Sequence, residues 1–455
     1  MYAAFTLLLV TCGGTAQPTP APTPDIEAIV QARLMEERAV VATVEAKVQS
    51  MVKAIIAATV DIEAIVQARL EEERAAVATV RAEAQSTAKT LAEATAQTAR
   101  PAMPTTTAAP ALTLTGDDYT RMGNEFSARG DYDRAIQNYD DAIKLDPNIA
   151  QAYANRGNAY YYLNQYERAV QNFDDAVMLN PQYPFAYYGR GVAYDELGQH
   201  ERAIQNYDEA IRLNPQLADA YYNRGVAYES LGQYERAIED YDEAIRLDPK
   251  DASAYNNRGL AYGNLGQYER AIEDYDEAIR LDPQYVYAYN NRGFAYRLLG
   301  QYERAIEDYD EAIRFDPQYV YAYNSRGGAY IDLGQYERAI EDYDEVIRLD
   351  PKDAYAYNNR GLAYRLLGQY ERAIEDLNEA IRLDPQYVYA YNNRGLAYGN
   401  LGQHERAIED YDEAIRLDPK DAYAYNNRGL AYRNQGQQEL ADRDFAKAEE
   451  LGYNP

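Results

Sequence analysis

ADAYYNRGVAYESLGQYERAIEDYDEAIRLDPKD, residues 218–251, is followed by ASAYNNRGLAYGNLGQYERAIEDYDEAIRLDPQY, residues 252–285, and the second stretch is a light revision of the first. Within each, Gly232 or Gly266 parts two stretches of helical pattern, because glycine permits the backbone of a tight turn. Pro249 or Pro283 ends the second stretch, since proline cannot donate the next helical hydrogen bond. Prolines recur at 147, 181, 215, 249, 283, 317, 351, 385 and 419, each 34 residues from the last. Closing every unit two residues after its proline gives ten helix–turn–helix units, beginning at 116, 150, 184, 218, 252, 286, 320, 354, 388 and 422.

Composition agrees with a chain built by copying. Its 455 residues include 48 tyrosines and no tryptophan, the imbalance expected when one short unit is multiplied. The net charge of -29 makes nucleic acid and anionic lipid surfaces poor partners. One cysteine and two histidines leave no disulfide framework and almost no soft metal ligands. No phosphate loop, nucleophile elbow or metal box interrupts the units, and catalysis needs a singular site that near-identical copies do not supply. The expectation is a non-enzymatic protein without a cofactor.

Tyr221, Gly225, Tyr228, Ala237, Tyr241, Ala244 and Pro249 of the fourth unit fall on the pattern of the tetratricopeptide repeat, and residues 116–455 resemble that family throughout. The resemblance implies an all-α, right-handed α-solenoid of ten helical hairpins. Gly225 and Ala237 are expected where the helices of one hairpin cross closely, with Tyr221, Tyr228 and Tyr241 filling the space between hairpins. Asp118 and Glu125 replace the alanines of the other first helices, and Asp442 and Glu449 replace Ile238 and Ile245. Charge on both terminal faces is the expected mark of capping repeats.

The family's first helices line a concave groove, so binding residues are sought there. The sixth position is Asn155, Asn223, Asn257, Asn291, Asn359, Asn393 and Asn427. A carboxamide both accepts and donates, so a column of them can hold the peptide bonds of an extended segment whatever its side chains. The column resembles the asparagine ladder in the repeat region of O-linked N-acetylglucosamine transferases, whose catalytic domain has no counterpart here. Tyr287, Tyr321, Tyr355, Tyr389 and Tyr423 hold the second position as candidate apolar rims with hydroxyl handles. Against both columns stands inheritance, since copying one unit repeats any residue, needed or not. The arginine before each glycine (Arg156, Arg224, Arg258) reads as a structural partner of a nearby carboxylate. The carboxylates of the second helices read as a solvated outer face with local arginine pairs.

Some family members hold acidic chaperone tails in a clamp of Lys, Arg and Asn. Asn124 and Asn155 match that pattern, but Thr120, Phe185 and Gly189 stand where its cations would be. His200 and His404 replace the tyrosine seen at Tyr234 and read as substitutions in a packing slot.

The remaining segments are of another kind. Residues 1–12 join a short apolar run to Leu9-Val10-Thr11-Cys12, which resembles a bacterial lipobox with Cys12 as the lipidation site, although Thr11 departs from it and no Lys or Arg precedes the run. The alternative is an ordinary cleaved signal with an incidental cysteine. Residues 13–24 and 97–115, rich in Pro, Thr and Ala, read as linkers. Residues 25–96 are two copies of a 36-residue helix-forming unit, a stalk that is either a self-associating coiled coil or a pair of amphipathic helices. The expected protein is an exported scaffold or adaptor at the bacterial cell envelope, membrane-bound through a lipid anchor only, that takes a peptide or protein partner in its groove. A carbohydrate-binding or adhesin module using the Tyr and Asn columns is the alternative.

Overall fold

A computed structural model describes residues 114–453. The signal segment with Cys12, the stalk and the linkers expected from the sequence lie outside these, but for Leu114 and Thr115. The described residues form twenty helices and no strand. First helices begin at residue 116, at 150, and at each 34-residue step to 422, in agreement with the period. In unit four they pair as Ala218–Ser230 and Tyr234–Leu247.

Local chemistry explains the punctuation. The turn within a hairpin needs a left-handed residue, and Gly232 provides it at φ 68°. Unit two instead places Asn164 there at φ 57°, asparagine being among the few other residues that tolerate this region. At the far end Asp248 is pushed out of helical geometry, to φ -128° and ψ 89°, by the proline that follows it. Where the next first helix opens with an aspartate, as at Asp251, Asp353 and Asp421, its carboxylate accepts backbone N–H bonds as an N-cap.

The core is a column of alanines and tyrosine rings. Ala237 and Tyr241 are fully buried, and the Tyr241 ring lies so close to Gly225 that a Cβ there would stand 2.8 Å from the ring. Tyr241 thus packs inside its own hairpin and, in one cluster with Tyr194 and Ala203 of unit three and Ala261 of unit five, also between hairpins as expected. Burying such a ring contributes on the order of 2 kcal/mol. Between hairpins, Tyr228 and Tyr194 pack in one cluster with Ala203, Ala227 and Ala261.

Arginine joins the hairpins to one another. Arg224 donates through Nε and Nη2 to both oxygens of Asp240 in its own unit, at 2.8 and 2.6 Å, and through Nη1 to Asp208 of the preceding unit. Arg258, Arg292, Arg326, Arg360 and Arg428 repeat the bridge. This is the structural role expected for these arginines. It also corrects the reading of the second helix as uniformly solvated: Asp240, Asp274, Asp308, Asp342, Asp376, Asp410 and Asp444 are buried. The other expectation for that helix, local surface pairs, is met by bonds such as Arg246 to Glu243.

Neighbouring first helices touch one another along the described array, whereas no two second helices do. The first helices therefore lie on the inner side of the stack. At its ends Asp118 completes a capping box with Thr115, and Glu125, Asp442 and Glu449 are exposed.

Candidate peptide-binding groove

The copies within this chain show which first-helix positions the hairpin requires. Numbering each unit from its first residue, positions 3, 4, 7, 8, 10 and 11 read Ala, Tyr, Arg, Gly, Ala and Tyr in all of units two to ten. Positions 9, 12 and 13 have diverged. Position 12 runs Tyr161, Asp195, Glu229, Gly263, Arg297, Ile331, Arg365, Gly399 and Arg433. Residues needed for packing are held, and those released from packing have drifted to differing chemistry.

The diverged positions surround depressions that recur with the period of the array. One of about 490 Å³ lies between units one and two, lined by Asn124, Ser127, Tyr132, Asn155 and Tyr162 among others. A second, of about 370 Å³, lies between units four and five against Val226, Glu229, Tyr234, Asn257 and Leu260. A third, of about 270 Å³, lies between units five and six, where Leu260, Gly263, Tyr268, Asn291, Phe294 and Leu298 meet. Positions 9, 12 and 17 of one unit and 6, 9 and 13 of the next thus build a repeating subsite. Gly263 opens the floor of the third, since a Cβ there would have only the Tyr275 hydroxyl within reach, at 3.9 Å. Phe294 and Leu298 are exposed in its wall.

All seven asparagines of the sixth-position column are tied into the chain itself. Asn291 donates to Asn256 Oδ1 at 3.1 Å, Asn256 donates to Asn257 Oδ1 at 3.1 Å, and Asn257 donates to the Tyr222 hydroxyl at 2.9 Å. Asn393 donates to Asn358 Oδ1 and Asn358 to Asn359 Oδ1, repeating the first two links, and Asn223 donates to the Tyr188 hydroxyl. Asn155 donates to Asn124 Oδ1 at 2.7 Å, and Asn427 accepts from Asn426. Burial pushes the Tyr188 and Tyr222 hydroxyls up to about 12, so both are neutral partners. The ladder bonds adjacent units, a role the sequence reading missed, and a ligand meets only the remaining lone pairs and N–H groups. Where Asp421 opens unit ten the relay breaks: Asn392 turns its Nδ2 to Asp421 at 2.6 Å, leaving its own Oδ1 buried without a partner.

The second-position tyrosines stand out from the helices. Tyr287, Tyr321, Tyr355, Tyr389 and Tyr423 are 52–69% exposed. Tyr285, Tyr287, Tyr319 and Tyr321 form a continuous file with successive centroids 5.5 to 5.9 Å apart, and Tyr387 with Tyr389 extends the pattern at 6.0 Å.

The groove is also electrically divided. Positions 12 and 13 carry Asp195, Glu196 and Glu229 in units three and four, but Arg297, Arg365 and Arg433 in units six, eight and ten, with Asp332 the one acid in that later half. Asp195 meets His200 Nδ1 at 2.6 Å, Glu196 accepts from the Tyr161 hydroxyl, and Glu229 accepts from the Tyr241 hydroxyl. Burial raises the carboxyls of Asp195 and Glu229 above their ordinary values, against the lowering by those bonds.

Models of the tetratricopeptide repeat match residues 218–251, 252–285, 286–319 and 388–421, and again 308–341 and 410–443. A further TPR repeat model matches 123–163, 157–198, 195–232, 327–367 and 361–402, so the matches run unbroken from 123 to 443. This chain belongs to the tetratricopeptide repeat family. No curated protein matches it. Among solved structures similar to this tetratricopeptide repeat protein is MamA, 31% identical, covering 37% of this chain and 92% of that one, with a TM-score of 0.34. YrrB, titled a TPR protein with an unusual peptide-binding site, is 26% identical, covering 41% and 97% of the two chains, with a TM-score of 0.37. A tetratricopeptide repeat protein from Parabacteroides merdae ATCC 43184 is 25% identical, covering 52% and 94%, with a TM-score of 0.45.

Proposed function

We propose that the array is a non-enzymatic interaction scaffold whose inner groove takes an extended segment of a protein partner. The observation that carries this reading is the periodic subsite: open depressions at fixed register, walled by exposed Leu260, Phe294 and Leu298, with chemistry that changes from unit to unit. An extended chain presents side chains at regular spacing, and a solenoid that repeats one concave subsite meets them in order. The test is binding of displayed random dodecapeptides to the full chain, beside a Leu260→Arg/Phe294→Arg variant that fills the depressions. The parent should select peptides and the variant should lose them with helicity unchanged. Peptide binding indifferent to the variant contradicts a groove site.

The exposed tyrosine file supports a second reading, a carbohydrate surface on which sugar rings stack. Retention on a glycan array, lost on changing Tyr287 and Tyr321 to Leu, favours it over the first. For location, we propose export and lipid anchoring at Cys12, with residues 25–96 as a stalk through which copies self-associate. The support is the sequence of these segments alone. Mass spectrometry of the mature N-terminus tests the anchor: an unmodified Cys12, or cleavage beyond it, contradicts lipidation. Sedimentation of the full chain beside one lacking 25–96 tests the stalk.

A further inference from the structure

Arg297 and Arg365 occupy the same place, position 12 in units six and eight, and the helices that carry them differ only at positions 1 and 9. Their surroundings differ in a way that matters. Arg297 donates through Nε to Asp332 Oδ2 of the next unit at 2.6 Å, its guanidinium lying across Gly328, where a Cβ would stand 3.0 Å from Nη1. In unit nine the counterpart of Gly328 is Leu396 and the counterpart of Asp332 is Asn400. Both the space and the carboxylate are gone.

Arg365 is accordingly left with a buried Nε that has no hydrogen-bond partner, and its side chain makes no ion pair among the described residues. The ionisable groups acting on it are the phenols of Tyr411, Tyr370 and Tyr336, with no carboxylate among them. Burial lowers its pKa with no carboxylate to offset the cost. Guanidinium is a planar fork that matches a carboxylate with two parallel bonds, and a half-buried one without a partner carries a desolvation penalty that an incoming anion relieves.

We propose that Arg365 anchors an aspartate or glutamate side chain of the extended segment held in the groove. The proposal rests on the peptide-binding reading above and adds the class of residue taken at the subsite between units eight and nine. Position 12 is the position that lines the three open depressions, as Ser127, Glu229 and Gly263, so an arginine there faces the ligand's path. Charge complementarity is local: Asp332, the one acid at positions 12 and 13 in this half, is committed to Arg297. The chain's overall charge of -29 opposes an acidic ligand, but surface charges beyond about 8 Å are largely screened at physiological salt, whereas a partly buried pair is not. The ligand carboxylate belongs to a side chain and not to a chain end because the subsite is internal. Tyr389 and Asn393 of unit nine and Tyr423 and Asn427 of unit ten continue the groove past it. The clamp known in other family members needs cations at other positions, which this chain lacks.

The experiment uses the full chain and acetylated, amidated dodecapeptides taken from the random library, each paired with its Glu→Gln or Asp→Asn version. Two variants accompany the parent. Arg365→Gln removes the charge, and Leu396→Gly/Asn400→Asp keeps Arg365 but supplies the partner seen for Arg297. Selected peptides should carry an acid at a fixed register and lose about tenfold in affinity on neutralisation, as expected for one charge-assisted hydrogen-bonded pair. Both variants should bind the acidic and neutral versions alike while still binding the neutral ones. Peptides selected without an acidic preference, or a preference intact in both variants, overturn the anchor and leave the groove standing. A preference for free over amidated C-termini overturns the side-chain assignment. Failure of the parent to bind any peptide removes the groove reading and the anchor with it.

Discussion

Changing Arg224 to Ala and, separately, Asp240 to Asn should have very unequal effects, although the two residues form one ion pair. Arg224→Ala leaves Asp240, with its side chain 6% exposed, stripped of both donors. Breaking a buried pair from one side costs about 3–5 kcal/mol, because the remaining charge keeps its desolvation and loses its partner. The second partner, Asp208, is 53% exposed, so losing that contact adds about 1 kcal/mol or less. Asp240→Asn leaves a neutral acceptor, and the chain already shows how that works. Asn172 and Asn206 fill the same slot in units two and three, accept from Arg156 Nε at 2.6 Å and Arg190 Nε at 2.7 Å, and donate to the Arg168 and Arg202 carbonyls at 2.7 Å. The expected cost is about 1 kcal/mol or less. An array opens by neighbouring units, so native-state hydrogen exchange of units three to five is the assay, with the global melt as a check. Equal losses for the two variants, or a loss under about 1 kcal/mol for Arg224→Ala, refute the stabilising role of the arginine bridge.

Three further outcomes are expected. Gly395→Ala and Gly399→Ala lie in one helix, but a Cβ at 395 would stand 2.7 Å from the Tyr411 ring, whereas one at 399 meets nothing within 4 Å. Thermal melts should show the first destabilised by about 1–3 kcal/mol and the second stabilised by up to about 1 kcal/mol. Tyr309→Phe should be neutral or stabilising, because its buried hydroxyl has no partner, while Tyr241→Phe should lose about 1 kcal/mol by leaving Glu229 without its 2.9 Å donor; denaturant titration separates them. Glu243, Glu277, Glu345, Glu379 and Glu413 are held below the ordinary glutamate value by the arginine three residues on. A depressed folded pKa gives stability that is present above about pH 4.3 and lost as pH falls through the folded value. Replacing Arg246, Arg280, Arg348, Arg382 and Arg416 with Gln should therefore shrink the fall in melting temperature between about pH 5 and pH 3.

Much of the fold was legible because one period governs it. Helix starts, the turn at Gly232 and the break at Pro249 each follow from a single residue's backbone preference, repeated often enough to remove ambiguity. The burial of Asp240 was not legible: in the run Glu239, Asp240, Tyr241, Asp242, Glu243 the acids look alike, and only three-dimensional phase separates the buried Asp240 from the exposed Asp242. A signal did exist in the asparagines at 172 and 206, small neutral acceptors where a solvated position has no need of one. The Asn column was legible as a column but not as a bonded ladder, since its partners lie up to 35 residues away and change with the residue that opens the next helix. Arg365 was not legible as a site, because it stands at the same position of its unit as Arg297. What sets it apart is Asn400 in place of Asp332, a difference on the neighbouring hairpin.

The central claim, that the inner face binds an extended segment, is tested most directly by photo-crosslinking a selected peptide from two places on the full chain. A benzophenone side chain replaces Tyr321, exposed at the second position of a first helix, or Glu307, exposed on a second helix. Crosslinks from 321 and none from 307 are the expected result. Crosslinking from 307 with none from 321 contradicts a groove site and places the partner on the outer face.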